Sequence, residues 1–272
     1  MANSINKLID DKIIKRGKTG MLIRLDDIHI QEGFNKREDD ERTQLADDEL
    51  LQFILNGGIV PALEVRPRDE GGVWVVEGHR RTRAYKRARE AGRPIEWISI
   101  TPFIGNDVER IARIMNSNNQ LPLTPFEQSQ VIKALSAYNL SPDEIARLVN
   151  KSRATIDKLL ALGLANHDVQ SLVKDGSVAV DAALDRVKEH GESAGKVLSG
   201  DIAKAKAAGK KKVTKSFITQ QFSAQRARRL CELLYYAAPM VRTEGDVLLL
   251  SPGTKDEVNA ILNEYRQLQT KE

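Results

Sequence analysis

Apolar positions keep two rhythms along this chain, and the change falls near Pro125. Before it, short runs with apolar residues at roughly alternate places stand between polar turns. MLIRLDDIHI, residues 21–30, has this alternation and reads as a strand. PALEVRPRDEGGVWVVEG, residues 61–78, reads as two strands about a turn at 69–72, and PIEWISITPF, residues 94–103, as another strand. Helical stretches alternate with them. DELLQFILNGG, residues 48–58, is a short helix stopped by Gly57 and Gly58. HRRTRAYKRAREAG, residues 79–92, is a helix ending at Gly92. DVERIARIMNSNN, residues 107–119, sets Ile111, Ile114 and Met115 at helical spacing. The charged stretch 31–48 reads as a loop, and residues 1–20 as a polar arm of weak helical character.

After Pro125 the pattern is wholly helical through residue 190, in segments such as FEQSQVIKALSAYN, SPDEIARLVN, SRATIDKLLALG, DVQSLVKDG and DAALDRVKEHG. Residues 191–216 are rich in Gly, Ala and Lys and read as a partly flexible linker. The last part reads as helix, strand, helix. The expected fold class is therefore α+β. Residues 1–20 are an arm, 21–121 a small mixed α/β domain, 122–190 an all-α domain, 191–216 the linker and 217–272 a small αβα C-terminal domain.

The sharpest local signal is SPDEIARLVNKSRATIDKLLAL. Ser141 is an N-cap, Pro142 fits the first helical position and Glu144 closes a capping box. After the short turn at Asn150 and Lys151, Ser152 caps a second helix. Ile145, Leu148, Val149, Ile156, Leu159 and Leu160 supply the inward faces. Such a pair is a helix-turn-helix, whose second helix enters the major groove of duplex DNA by its N-terminal residues. Ser152, Arg153, Thr155 and Lys158 are the expected contacts. An ordinary helical hairpin with solvated charges is the plain alternative.

The second signal is VVEGHRRTRA. A glycine, Gly78, sits where a strand gives way to a helix, and His79, Arg80 and Arg81 fill the first turn. Free N–H groups and the helix dipole favour an anion there, and guanidinium groups add paired donors. Arg83, Lys86, Arg87 and Arg89, further along, read as solvated charges.

Composition narrows the classes. Of 272 residues, 41% are hydrophobic and 29% charged, which suits a globular domain with no membrane partner. One cysteine, Cys231, allows no internal disulfide and no cysteine metal cage, and is expected to be a small buried hydrophobe. The N-terminus mixes charges into its apolar positions, unlike a signal peptide, so a cytoplasmic, DNA-associated location is expected. The net charge of +4 permits a nucleic-acid partner, while 5% aromatics argues against a single-strand stacking platform.

The order of these pieces resembles the ParB family of partition proteins over roughly residues 21–190. LIRLDDIHI is similar to the family's opening strand, NKR ending at Arg37 to its Pro-Arg loop, and NGGIVPALEVRP to its GVLQPIVVRP segment. EGHRRTRA is similar to its GERR box, and NSNNQLPLTPFEQ to its ENxQR box with the entry to the helical domain. The resemblance implies a protein that grips double-stranded DNA as a dimer at a centromere-like site. It implies CTP bound with Mg2+ in the α/β domain, closure into a DNA clamp, dimerisation through the C-terminal domain and a ParA-like ATPase partner. Position by position, it puts Gly57, Gly58 and Pro61 beside the base, Gly78, His79, Arg80 and Arg81 on phosphates, Arg37 in the same pocket, and Asn116 on nucleotide and metal.

Two boxes depart from the family pattern. GERR is GHRR here, so a carboxylate becomes an imidazole. The ENxQR-like box lacks a carboxylate and an arginine: without a gap its Glu, Asn and Arg fall on Asn116, Ser117 and Gln120, and with one gap Asn116 takes the Asn position. Nucleotide binding is expected; CTP hydrolysis is left open, because that carboxylate would organise water or metal. The plain reading of Asn116, Asn118 and Asn119 is a polar loop ending a helix. An enzyme on the same fold, a nuclease or phosphotransferase, would need carboxylates near the arginines; the candidates are Asp39, Asp40, Glu41 and Glu77. A regulator of plasmid or phage genes without nucleotide switching is a further alternative. Lys210, Lys211 and Lys212 of the linker are expected to track DNA phosphates. The apolar Leu230, Leu233, Leu234, Val258, Ile261, Leu262 and Tyr265 of the last domain need burial, which a second copy would supply.

Overall fold

Alternation along the strands becomes a single buried face. In β6 (Trp97–Pro102) Ile98 and Ile100 are buried while Ser99 and Thr101 are exposed. β4 (Leu63–Pro67) buries Leu63 and Val65 on the same side. The computed structural model describes residues 4–17, 20–117, 121–218, 224–235, 238–242 and 245–269. These fall into two units, residues 1–198 and 199–272.

The first unit opens with a six-stranded mixed sheet in the order β1-β2-β6-β4-β5-β3. Its other strands are β1 (Ile14–Gly17), β2 (Gly20–Arg24), β3 (Ile28–His29) and β5 (Val73–Glu77). β4 and β5 form the expected antiparallel hairpin, and β4 runs parallel to β6. The first twenty residues are not a separate arm: Leu8 of α1 (Ile5–Asp10) and Ile14 of β1 lie in the sheet's core, with Ile23, Leu63 and Val75. Ile5, Ile9 and Ile13 pack against the same core, and Ile5, Leu8 and Ile9 stand at helical spacing, a signal too short to show that the segment joins the sheet.

Residues 21–30 are not one strand either. The 3-10 turn Leu25–Asp27 breaks the run, sending β2 to pair with β6 and β3 to pair with β5 at the far edge. Leu25 and Ile28 are both buried, so the apolar pattern survives the break that the backbone makes.

Two helices pack together beside the sheet. α2 (Glu41–Leu55) starts seven residues before the expected position, capped by Asp40, whose carboxylate accepts from Thr43 N at 2.8 Å. The small Ala84 and Ala88 of α3 (His79–Glu90) let it approach Ile54 of α2 closely. α4 (Asp107–Asn116) carries a capping box between Asn106 and Glu109. Its Ile111 and Ile114 belong to the core of the helices that follow, so α4 ties the sheet to the helical part.

Those helices are α5 (Pro125–Ser136), α6 (Pro142–Leu148), α7 (Arg153–Leu164), α8 (His167–Lys174) and α9 (Val180–His190). Val131, Ile132, Leu135, Ile145, Val149, Ile156 and Leu159 form their common core. Each fully buried aliphatic there is worth about 2–5 kcal/mol against truncation to Ala. The Gly-, Ala- and Lys-rich stretch expected as a linker instead forms α10 (Ala194–Ala207), and the division between the two units falls inside it. Ala and Lys are strong helix formers, and Ala194, Leu198 and Ala205 give the helix a buried face.

The second unit adds α11 (Lys215–Ile218), α12 (Ala224–Tyr235), the antiparallel strands β7 (Ala238–Arg242) and β8 (Gly245–Leu249), and α13 (Lys255–Gln269). β7 is additional to the expected helix-strand-helix. Leu233, Val258 and Ile261 make a small core. Cys231 is exposed, not buried: α12 turns Leu233 inward and leaves Cys231 on another face.

Candidate functional site

Gly78 ends β5 and caps α3 with φ of 107°, a left-handed conformation that side chains resist. A Cβ there would stand 2.5 Å from Leu63 Cδ2. The turn delivers His79 to the first position of α3 and aims the helix N-terminus at a cleft of about 880 Å3. The cleft is lined by Asn35 and Arg37 of the loop before α2, Glu49 and Phe53 of α2, and the stretch Ile59, Val60 and Pro61. Glu77 to Arg81, Arg113 and Asn116 of α4, and Leu121 complete the wall. Arg37, Pro61, Gly78, His79, Arg80, Arg81 and Asn116 are thus brought together along one cleft. Gly57 and Gly58 lie outside this lining; the residues just after them take their place.

The arginines divide by partner. Arg81 donates to the carbonyls of Pro61 at 2.6 Å and Ala62 at 2.8 Å, and pairs with Glu77. It therefore fixes the segment that walls the cleft, and burial pushes its pKa down. Arg80 Nε donates to Asp47 Oδ1 at 2.5 Å, and Arg83 donates to Asp47 Oδ2 at 3.1 Å. Arg83 and Arg87, expected to be solvated, are part-exposed but paired with Asp47 and Asp48 of α2. Arg113 pairs with Glu64. Arg37 Nη2 donates to the Leu121 carbonyl at 2.6 Å, and desolvation lowers its pKa.

His79 is only 7% exposed and stacks on Phe34, with ring centroids 5.7 Å apart. The Arg110 guanidinium lies 4.2 Å from the Phe34 ring centroid. Burial, helped by the charges of Arg83 and Arg110, lowers the His79 pKa to about 4, so the imidazole is neutral near pH 7. Its Nε2 is buried without a hydrogen-bond partner among the described residues.

Sequence reasoning missed a buried hub. Glu127 is 0% exposed and accepts from Glu38 N at 2.8 Å, Thr124 N at 2.6 Å and Arg42 Nη2 at 3.3 Å. Arg42 also donates to the Pro122 carbonyl at 2.8 Å. This hub and the Arg37–Leu121 bond lock the loop before α2 to the start of the helical part. The sequence Thr124-Pro-Phe-Glu127 is a capping box, and that signal was available. Its use by a loop some ninety residues away was not.

The donors present fit a divalent cation poorly. Asn116, whose Nδ2 donates to the Leu148 carbonyl at 3.2 Å, has only a neutral amide oxygen to offer, and the Glu77 carboxylate is paired with Arg81. No group of three His, Cys, Asp or Glu side chains is placed to hold a metal among the described residues. Asp40 is an N-cap and Asp39 accepts from Gln44, so the acidic run 39–41 is not gathered at the cleft. Asn118, Asn119 and Gln120 lie outside the described residues.

The helical pair takes the expected form. Ser141 caps α6 with Glu144 closing the box, and Ser152 Oγ accepts from Thr155 N at 3.2 Å at the start of α7. Asn150 makes the turn with φ of 51°. Arg153 is held by Asp157 at 2.9 Å and Asp143 at 2.5 Å, and Lys158 by Asp181 at 2.7 Å. These exposed pairs are worth at most about 1 kcal/mol each, so a phosphate or base edge can replace the carboxylate. In the second unit Lys210, Lys211 and Lys212 are exposed after α10, with the Lys210 ammonium 5.3 Å from the Phe217 ring centroid.

No protein-family model matches the chain. A probable chromosome-partitioning protein ParB of Vibrio cholerae is 31% identical over 132 residues, 47% of this chain and 42% of that protein. The chromosome-partitioning protein ParB of Myxococcus xanthus is 26% identical over 160 residues, 56% of this chain and 51% of that protein. The chain therefore spans about half the length of these curated relatives. Among solved structures, a C-terminally truncated ParB from Caulobacter crescentus complexed to the centromeric parS site aligns with a TM-score of 0.47 and 18% identity. The alignment covers 69% of this chain and 97% of that one.

Proposed function

The chain belongs to the ParB family of partition proteins, and we propose that it binds a centromere-like duplex site as a homodimer and uses CTP to gate its closure on DNA. Its work is segregation of the DNA that carries the site, with a ParA-like ATPase as partner. α7 reads the duplex through Ser152, Arg153, Thr155 and Lys158, and Lys210 to Lys212 hold phosphates without reading sequence. The cleft takes the nucleotide, with Arg80 as the principal phosphate ligand and Pro61 beside the base.

The observation that carries this reading is the aim of the α3 N-terminus, with Gly78 and four cleft-lining arginines, into one open cleft. Helix ends and guanidinium groups both favour phosphate. The Arg37 and Glu127 bonds give a route by which cleft occupancy reaches α5 and the reading helices. A nuclease or phosphotransferase reading gains nothing from Glu77, whose carboxylate is neutralised by Arg81.

Calorimetry with CTP, ATP and GTP, with and without duplex DNA bearing the site, tests the proposal. CTP alone is expected to bind, and Arg80→Ala to weaken it by about one to two orders of magnitude, as loss of a charged hydrogen bond does. Absence of binding by all three would overturn the nucleotide reading.

A further inference from the structure

The charge balance of the cleft goes one step beyond that reading, and rests on it. We propose that the cleft neutralises a nucleoside triphosphate with guanidinium groups and the α3 N-terminus, without a divalent cation. Arg37, Arg80, Arg81 and Arg113 all line it. Three of these arginines already hold a carboxylate: Arg80 pairs with Asp47, Arg81 with Glu77 and Arg113 with Glu64. A cation that drew on any of these three carboxylates would compete with its arginine, and separating a part-buried pair is costly. An incoming phosphate meets the opposite situation. Asp47 is shared by Arg80 and Arg83, so Arg80 can leave for a phosphate while Asp47 keeps its second partner.

The positions that would supply a metal ligand point the same way. Asn116 and Ser117, which line the cleft at the end of α4, are not ionisable. Asn116 donates its Nδ2 to the Leu148 carbonyl, so it offers a cation one neutral amide oxygen and no charge. At the first position of α3 stands His79, 7% exposed and packed on Phe34, with Nε2 buried and lacking a partner among the described residues. Magnesium prefers oxygen ligands and retains much of its water, so an enclosed imidazole is a poor donor to it. The same nitrogen suits a hydrogen bond to a ligand's polar atom. The exposed Glu49 is the remaining cleft-lining carboxylate among the described residues.

Calorimetry on the full chain tests this, with CTP and with inorganic tripolyphosphate, each in EDTA and in excess magnesium. The dissociation constant in EDTA is expected within about threefold of that in magnesium, or tighter, and Asn116→Ala to change it by less than about threefold. Arg80→Ala is expected to weaken both ligands at least about tenfold in either buffer. Binding confined to magnesium, and lost in Glu49→Gln, overturns this inference while leaving the nucleotide reading intact. No binding in either buffer overturns the nucleotide reading, and this inference with it. Tripolyphosphate binding with no added affinity from the nucleoside keeps the metal-free anion site but removes its nucleotide selectivity.

Discussion

Gly78 and His79 show how much rests on single positions. Gly78 has φ of 107° and no room for a Cβ, so Gly78→Ala is expected to cost about 1–3 kcal/mol in urea or thermal unfolding. His79 carries a pH signature. Its folded pKa, about 4, lies below the ordinary 6.5, so the unfolded chain binds the proton more readily between those values. The stabilising effect of keeping the imidazole neutral is complete above about pH 6.5 and is lost as pH falls toward 4. At pH 5 the loss is on the order of 2 kcal/mol. Thermal unfolding across pH 4–7 should show this slope, and His79→Gln should flatten it. The sequence marked both residues, because a glycine before a basic helix turn is a local pattern. It could not show that the imidazole is buried, since Phe34 and Arg110 come from other elements.

Helix ends were the most legible elements. Caps act over three or four residues, so Ser141, Glu144 and Ser152 could be read before any fold was known, and the structure has them as caps. Ser141→Ala is expected to cost about 1 kcal/mol, measured by chemical denaturation. Within α7, Arg153→Ala should weaken binding to the best duplex by about 1–3 kcal/mol in a titration at fixed salt, while leaving the melting temperature nearly unchanged. Unchanged affinity would remove α7 from the reading of DNA. Strands were harder. The 21–30 run was legible as apolar alternation, yet the turn at Leu25–Asp27 sends its first half between β1 and β6 and its second half to the edge beside β5. Pairing partners far along the chain decided that, and no local rule reaches them.

For the molecule as a whole, dimerisation and salt dependence are the checks. Leu234 and Tyr235 of α12 are exposed, Tyr235 to 82%, and the core beneath them is small. The full chain is expected to sediment as a dimer at micromolar concentration, and Leu234→Glu with Tyr235→Glu to shift it toward monomer. Replacing Lys210, Lys211 and Lys212 by Ala should reduce the salt slope of DNA binding by about 0.9 for each phosphate that these lysines neutralise.

The chain's own order of residues was enough for the helical segments, their caps, the β4–β5 hairpin and the arginine-rich turn after Gly78. Each depends on contacts within a few residues. Folding in three dimensions decided which strand lies beside which, that the first twenty residues complete the sheet, and that α4 joins the helical core. It also decided that Asp47, Glu64 and Glu127 meet arginines or loops distant in sequence. Backbone preference and capping are short-range forces. The pairing of buried charges is settled only when distant segments share one desolvated space.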